Sequence, residues 1–156
     1  MVEGYITIGE DQALAPYLNG RRGGWMNVTR AHRPKLNEPQ SHIIVQSDHI
    51  IMATAPDHDV QIATAPPSGV EDRNIEIVLI GGKTVCGFIT AAAQQRLSDY
   101  LGSQNGKFMW LQRATLAPDG RALGDLALHL GAIEIMKDLR ANAPIEEGSS
   151  IMEPLA

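Results

Sequence analysis

Apolar and polar residues alternate along much of the second half of the chain, which marks strands that turn one face to a core. Residues 74–80 place Ile75, Ile77 and Leu79 on one side, and Gly81-Gly82 follows as a two-residue hairpin signal. Residues 83–90 then read as the returning strand. The period changes over residues 94–101, where Leu97, Tyr100 and Leu101 stand at i, i+3 and i+4, so one or two helical turns are predicted. Gly106 closes that connection. Residues 107–116 read as a strand, Pro118-Asp119-Gly120 as a turn, and residues 121–130 and 132–136 as two further strands. Five short antiparallel strands with one helical turn predict a mainly β, β-rich α+β unit. A small SH3-like or Sm-like barrel, or a curled antiparallel sheet, satisfies that order.

A shift of 83 residues lays the beginning of the chain on its second half without a gap. Over residues 2–31 there are twelve identities: Val2, Gly4, Ile6, Thr7, Gln12, Leu14, Tyr17, Leu18, Gly23, Met26, Arg30 and Ala31. Random matching would give roughly two. Tyr5/Phe88, Tyr17/Tyr100 and Trp25/Phe108 are aromatic in both halves, which favours core anchors, and Ile50 falls on Ile133. Two tandem copies are therefore expected: residues 1–64, a Pro- and Gly-containing linker over 65–72, a second copy over 73–140, and a tail over 141–156. The first copy lacks the opening strand. Residues 59–64, a strand from the other copy, or a second subunit would fill the gap, and the internal solution is favoured.

Composition is that of an ordinary globular chain, with 44% apolar and 20% charged residues. No run reaches the length of a membrane helix, and the first residues lack the basic and apolar regions of a signal peptide. The single cysteine, Cys86, admits no internal disulfide and reads as a small hydrophobe within a strand. A cytoplasmic location is expected. The net charge of −5 argues against generic nucleic-acid binding. Charge is uneven, however: residues 21–35 carry five cations and no acid, while Asp138, Glu146, Glu147 and Glu153 dominate the C-terminal part.

Few residues offer chemistry. Gly82-Lys83-Thr84 resembles the end of a phosphate-binding loop, but Ile77 stands where that loop needs glycine and a strand follows instead of a helix. His42 and His49 would lie on opposite faces of a continuous strand, and Asp57-His58-Asp59 fits no zinc or calcium spacing. No serine elbow or acid–base pair stands out, so no catalytic residue, metal or cofactor is assigned. The sharpest binding lead is the set Arg21, Arg22, Trp25, Arg30, Arg33 and Lys35, with cations for phosphates or acidic partners and a tryptophan able to stack on a base. In the tail, Ile145, Ile151, Met152 and Leu155 are spaced for docking in a partner's groove; a frayed end is the plain alternative.

Val85-Cys86-Gly87-Phe88-Ile89, Arg96-Leu97-Ser98-Asp99-Tyr100-Leu101, Gly106-Lys107-Phe108 and Ala114 together resemble a small bacterial β domain of unassigned activity. That domain has a Gly-x-Ile strand, an Arg-Leu-Ser-Asp-x-Leu-Asn turn and a following Phe strand; here Gly102 replaces the Asn. The resemblance covers residues 74–137 and, more weakly, 2–53, and implies fold without activity. The expectation is a non-catalytic binding or assembly protein, an accessory or structural subunit of a complex or homo-oligomer. A nucleic-acid-binding small barrel using residues 21–35, and a small-ligand or metal-dependent enzyme using His42, His49, Asp57 or His58, are the alternatives.

Overall fold

The computed structural model describes residues 3–6, 14–20, 24–33, 36–54 and 68–142. In chain order its elements are β1 (Glu3–Tyr5), α1 (Leu14–Gly20), β2 (Trp25–Arg33), β3 (Leu36–Gln46), β4 (Met52–Thr54), β5 (Val70–Leu79), β6 (Thr84–Ala92), α2 (Leu97–Gly102), β7 (Phe108–Ala117), β8 (Arg121–His129) and β9 (Ile133–Asp138). Short 3-10 turns span Ser47–His49, Leu130–Ala132 and Leu139–Asn142.

The period-two pattern does what it predicts. β5 buries Arg73, Ile75, Ile77 and Leu79, and β6 buries Val85, Gly87, Ile89 and Ala91, in each case leaving the intervening residues more exposed. Ile75, Ile77, Leu79, Val85, Ile89 and Ala91 form the main core with Tyr100, Met109, Leu111, Ala114, Leu126 and Leu128. The Gly81-Gly82 turn has both glycines at positive φ, 94° and 80°. Its loop is longer than the two residues expected, since the strands end at Leu79 and resume at Thr84 and the Leu79 N–H donates to the Lys83 carbonyl at 2.8 Å. Gly120, at φ 68°, closes the turn between β7 and β8 as anticipated.

The chain is mainly β and forms two antiparallel sheets, a three-stranded one in the order β1-β2-β3 and a six-stranded one in the order β4-β8-β7-β6-β5-β9. Neither closes into a barrel. The physical reason is edge occupancy: β8 gives its outer edge to β4, so the larger sheet ends open at β4 and β9. β4 thereby carries residues of the first half into the sheet of the second. β5 begins at Val70, so the second part of the segment read as a linker is strand, with Val70 opposite Ala92. Residues 59–64, expected to complete the first copy, and residues 143–156 of the tail lie outside the described residues.

Positions 83 residues apart stand in matching places. Arg30 and Arg113 both hold left-handed backbone, at φ 49° and 50°, which an L side chain adopts at a cost of about 1–2 kcal/mol. Tyr5 faces Thr29 as Phe88 faces Gln112, and Glu3 faces His32 as Cys86 faces Thr115, with a register shift between the two pairs in each half. The Ser47 N–H donates to the Gly24 carbonyl at 3.0 Å, and the Leu130 N–H to the Lys107 carbonyl at 2.7 Å. A Cβ on Gly4 would lie 2.3 Å from Val28 Cγ1; one on Gly87 would lie 2.7 Å from Leu111 Cγ and 3.0 Å from the Gln112 carbonyl oxygen. Gly87→Ala must push a core leucine or the β7 backbone aside, so it is expected to destabilise by about 1–3 kcal/mol. Thermal unfolding checks this; an unchanged midpoint would mean that the sheet absorbs the methyl.

Candidate functional site

Two surfaces concentrate the unusual features, one where the halves meet and one on the second half. The first is the junction inside the chain. Leu14 and Leu18 on α1 are five-residue-window neighbours on one helical face (i, i+4), and with Met26 they enclose Phe108 and Ala127 of the second half. Ile50, Ala53 and Trp110 pack against the same cluster. Phe108 is 3% exposed and meets the His129 ring edge-on at a centroid distance of 4.9 Å.

Polar groups fix this aromatic in place. Asn19 Nδ2 donates to the Phe108 carbonyl at 3.1 Å, and the Phe108 N–H donates to Asn19 Oδ1 at 2.8 Å, so one side-chain amide satisfies both backbone groups of the residue. The preceding Gly106 leaves room for this clamp, because a Cβ there would lie 2.3 Å from Asn19 Cγ. Lys107 forms an ion pair with Asp48, and hydrogen bonding to Lys107 holds the Asp48 carboxyl below its usual range. β4 completes the junction by pairing Met52, Ala53 and Thr54 with Leu128, Ala127 and Leu126, and the His129 N–H donates to the Ile51 carbonyl at 2.9 Å.

The second surface is open. Between α2 and β9 lies a groove of about 430 Å³ lined by Leu97, Leu101, Leu130, Ile133 and Met136, together with Ser98 and Glu134. Ile135 on β9 is 56% exposed. On the first half, Trp25 is 65% exposed and Ile44, on the neighbouring β3, is 59% exposed. Isolated apolar residues on a surface are ordinary; here the apolar groove lies beside the outer edge of β9, which pairs with no further strand among the described residues.

His129 Nδ1 accepts from the Gly131 N–H at 3.0 Å, and burial lowers its pKa, opposed by the nearby Asp48 carboxylate. Its Nε2 has no hydrogen-bond partner among the described residues, so none of their carboxylates is placed to orient it as a general base. Cys86 is half-buried on β6, and burial, with the Glu76 charge, pushes its thiol up, away from nucleophilic character. Among the described residues no group of three His, Cys, Asp or Glu side chains is placed to hold a metal ion, and no helix is long and apolar enough to cross a membrane.

The residues singled out from the sequence are scattered in outcome. Trp25 and Arg30 are exposed on β2, which corrects the expectation that Trp25 is a core anchor like its counterpart Phe108. Arg33 ends β2. Arg21, Arg22 and Lys35 lie outside the described residues, as do Asp57, His58 and the tail residues Ile145, Ile151, Met152 and Leu155. His42 sits on β3 opposite Thr29, and His49 is exposed in the following 3-10 turn. Sequence reasoning missed Asn19 and the groove. A signal for Asn19 existed, because the turn pattern that ends in Asn lacks it at Gly102 but has it at the matching position of the first half. No family model, curated protein or solved structure matches the chain.

Proposed function

We propose that the chain is a non-catalytic binding and assembly protein, an accessory or structural subunit of a larger complex, built on two copies of one small β module. The observation that carries this reading is the apolar groove between α2 and β9, beside the outer edge of β9, neither of which is occupied among the described residues. An enzyme would instead concentrate titratable groups in its binding depression, and this groove is lined mainly by Leu, Ile and Met. The module reading is supported by the matched registers and the paired left-handed arginines, and by the order β9-β5-β6-β7-β8, which suits an open SH3-like sheet. The same segment bears the resemblance to the small bacterial β domain. A cytoplasmic setting fits the lone, half-buried Cys86.

Sizing the chain in an extract of its native host tests this. The wild-type chain is expected to elute well above its own mass, and Leu101→Asp, which places a carboxylate in the groove, is expected to return it to 16.9 kDa. Elution of the wild-type chain at that mass would overturn the reading. An assembly dissolved by nuclease would replace it with nucleic-acid binding through Trp25, Arg30 and the neighbouring cations.

A further inference from the structure

We propose that copies of this chain join head to tail, Trp25 of one copy seating in the Leu97–Leu101–Met136 groove of the next while β9 of the second pairs along the outer edge of β3 of the first. This deepens the assembly reading and rests on it. Its basis is the junction already present inside each chain. There Phe108 of the second half sits among Leu14, Leu18, Ile50 and Ala53 of the first. Moving each of these by the 83-residue offset turns Phe108 into Trp25, and the socket into Leu97, Leu101, Ile133 and Met136. Those four residues line the open groove, and Trp25 is the 65% exposed tryptophan. The second half therefore holds an empty socket and the first half an unseated knob of matching lineage.

The strand edges correspond in the same way. Inside the chain, Met52, Ala53 and Thr54 of β4 pair with Leu128, Ala127 and Leu126 of β8. The same offset sets Ile135, Met136 and Lys137 of β9 against Val45, Ile44 and Ile43 of β3. Among the described residues both edges are open, since β9 ends the larger sheet and β3 ends the smaller one. Their union would add main-chain hydrogen bonds, setting the exposed Ile44 beside Met136 on one face of the joined sheet and the exposed Ile135 beside Val45 on the other. Two complementary faces on opposite halves make a heterologous contact, which closes into a ring or continues as a filament according to the rotation per copy.

The joint between copies is built more lightly than the one within. Gly102 stands where Asn19 clamps Phe108, and Gly131 and Gly24 stand where Asp48 and Lys107 form their ion pair. A reversible association is the consequence, and Gly102 has open space around it in which an asparagine fits.

Sedimentation of the purified full chain over a concentration series tests the proposal. The wild-type chain is expected to grow beyond one copy, with Trp25 emission shifting blue as the ring leaves water. Trp25→Asp and Leu101→Asp, each checked by circular dichroism, are expected to weaken association at least about tenfold. Ile135→Lys gives a second socket-side variant should Leu101→Asp misfold. An equimolar mixture of Trp25→Asp and Leu101→Asp retains one working joint and should yield a 1:1 dimer and nothing larger. Gly102→Asn should move assembly to lower concentration. A wild-type chain that stays monomeric up to about 1 mM, beyond the weakest specific affinities, overturns self-assembly. If the chain in extract is nonetheless large, the assembly reading survives with a different partner; if it too is monomeric, both fall. An assembly indifferent to Trp25→Asp would assign the groove to another occupant, the chain's own residues 143–156 included, and a mixture that forms no dimer would rule out the head-to-tail geometry.

Discussion

Arg73→Ala is expected to lose about 3–5 kcal/mol, a third or more of the stability of a typical domain. Arg73 lies on the inner face of β5, in line with Ile75, Ile77 and Leu79, and is nearly as buried as they are. It can remain there because its whole guanidinium is engaged: Nε donates to Asp138 Oδ2 at 3.0 Å, NH2 donates to the same oxygen, and NH1 donates to the Gln95 carbonyl. Asp138 ends β9, and its side chain is 10% exposed. Deleting the arginine leaves the Gln95 carbonyl without that donor and the buried Asp138 carboxylate with Arg140 in place of two cations, so the loss reflects under-satisfied buried groups more than the intrinsic worth of the pair. For a chain of this size the midpoint of thermal unfolding should fall by about 10 °C.

The same pair sets a pH dependence. Burial pushes the Asp138 carboxyl up, but hydrogen bonds from Arg73 and Arg140 outweigh it and bring it down from 3.8 to about 2. A carboxyl whose folded value is depressed contributes stability above pH 3.8 and loses it as pH falls towards about 2. That contribution is about 2 kcal/mol. Asp138→Asn should flatten the stability profile in this window, and Arg73→Ala should flatten it in part, since Arg73 gives the largest of the lowering contributions while Arg140 still gives the rest. An Arg73→Ala chain with the wild-type midpoint and the wild-type acid profile would show that the pair is solvated in solution.

How much of this was legible beforehand depends on whether the deciding contacts are local. Ile75, Ile77, Leu79 and the turn glycines announce β5 and β6, because alternation and positive φ are properties of a few consecutive residues. The i, i+3, i+4 apolar residues of α2 are legible for the same reason. Arg73 was not, since its burial depends on Asp138, which lies 65 residues away. Trp25 was misread as core for an instructive reason. It and Phe108 occupy equivalent places on β2 and β7, and nothing within either strand says which outer face the other half will cover. Met52-Ala53-Thr54 is too short to announce itself as a strand, and its partner is chosen by the three-dimensional arrangement of the halves. The groove followed from no single segment, because Leu97, Leu101 and Met136 pack against the main core on one side and only their arrangement in space leaves a gap among the described residues on the other.

Phe108→Ala is expected to cost about 3–5 kcal/mol and to loosen the first half before the second. Phe108 belongs to β7 by sequence but fills a socket made by α1 and the residues around β4, so its removal empties a space that the first half alone cannot collapse around. The Asn19 clamp survives, because it holds only backbone atoms of residue 108, and the β4·β8 pairing also remains. The core around Ile75, Ile77, Val85 and Leu111 contains no atom of Phe108 and should keep its own stability. Native-state hydrogen exchange separates the two regions: amides of β2 should lose protection to a much greater extent than those of β5 and β6. Uniform loss across both sheets would mean that the halves unfold as one unit, and no loss in β2 would mean that α1 is held by the clamp and strand pairing alone. In that last case an aromatic seated between Leu14 and Leu18 contributes little, and Trp25 entering the corresponding groove of a second copy would have no energetic basis. The internal substitution therefore measures, within one chain, the interaction on which association between chains depends.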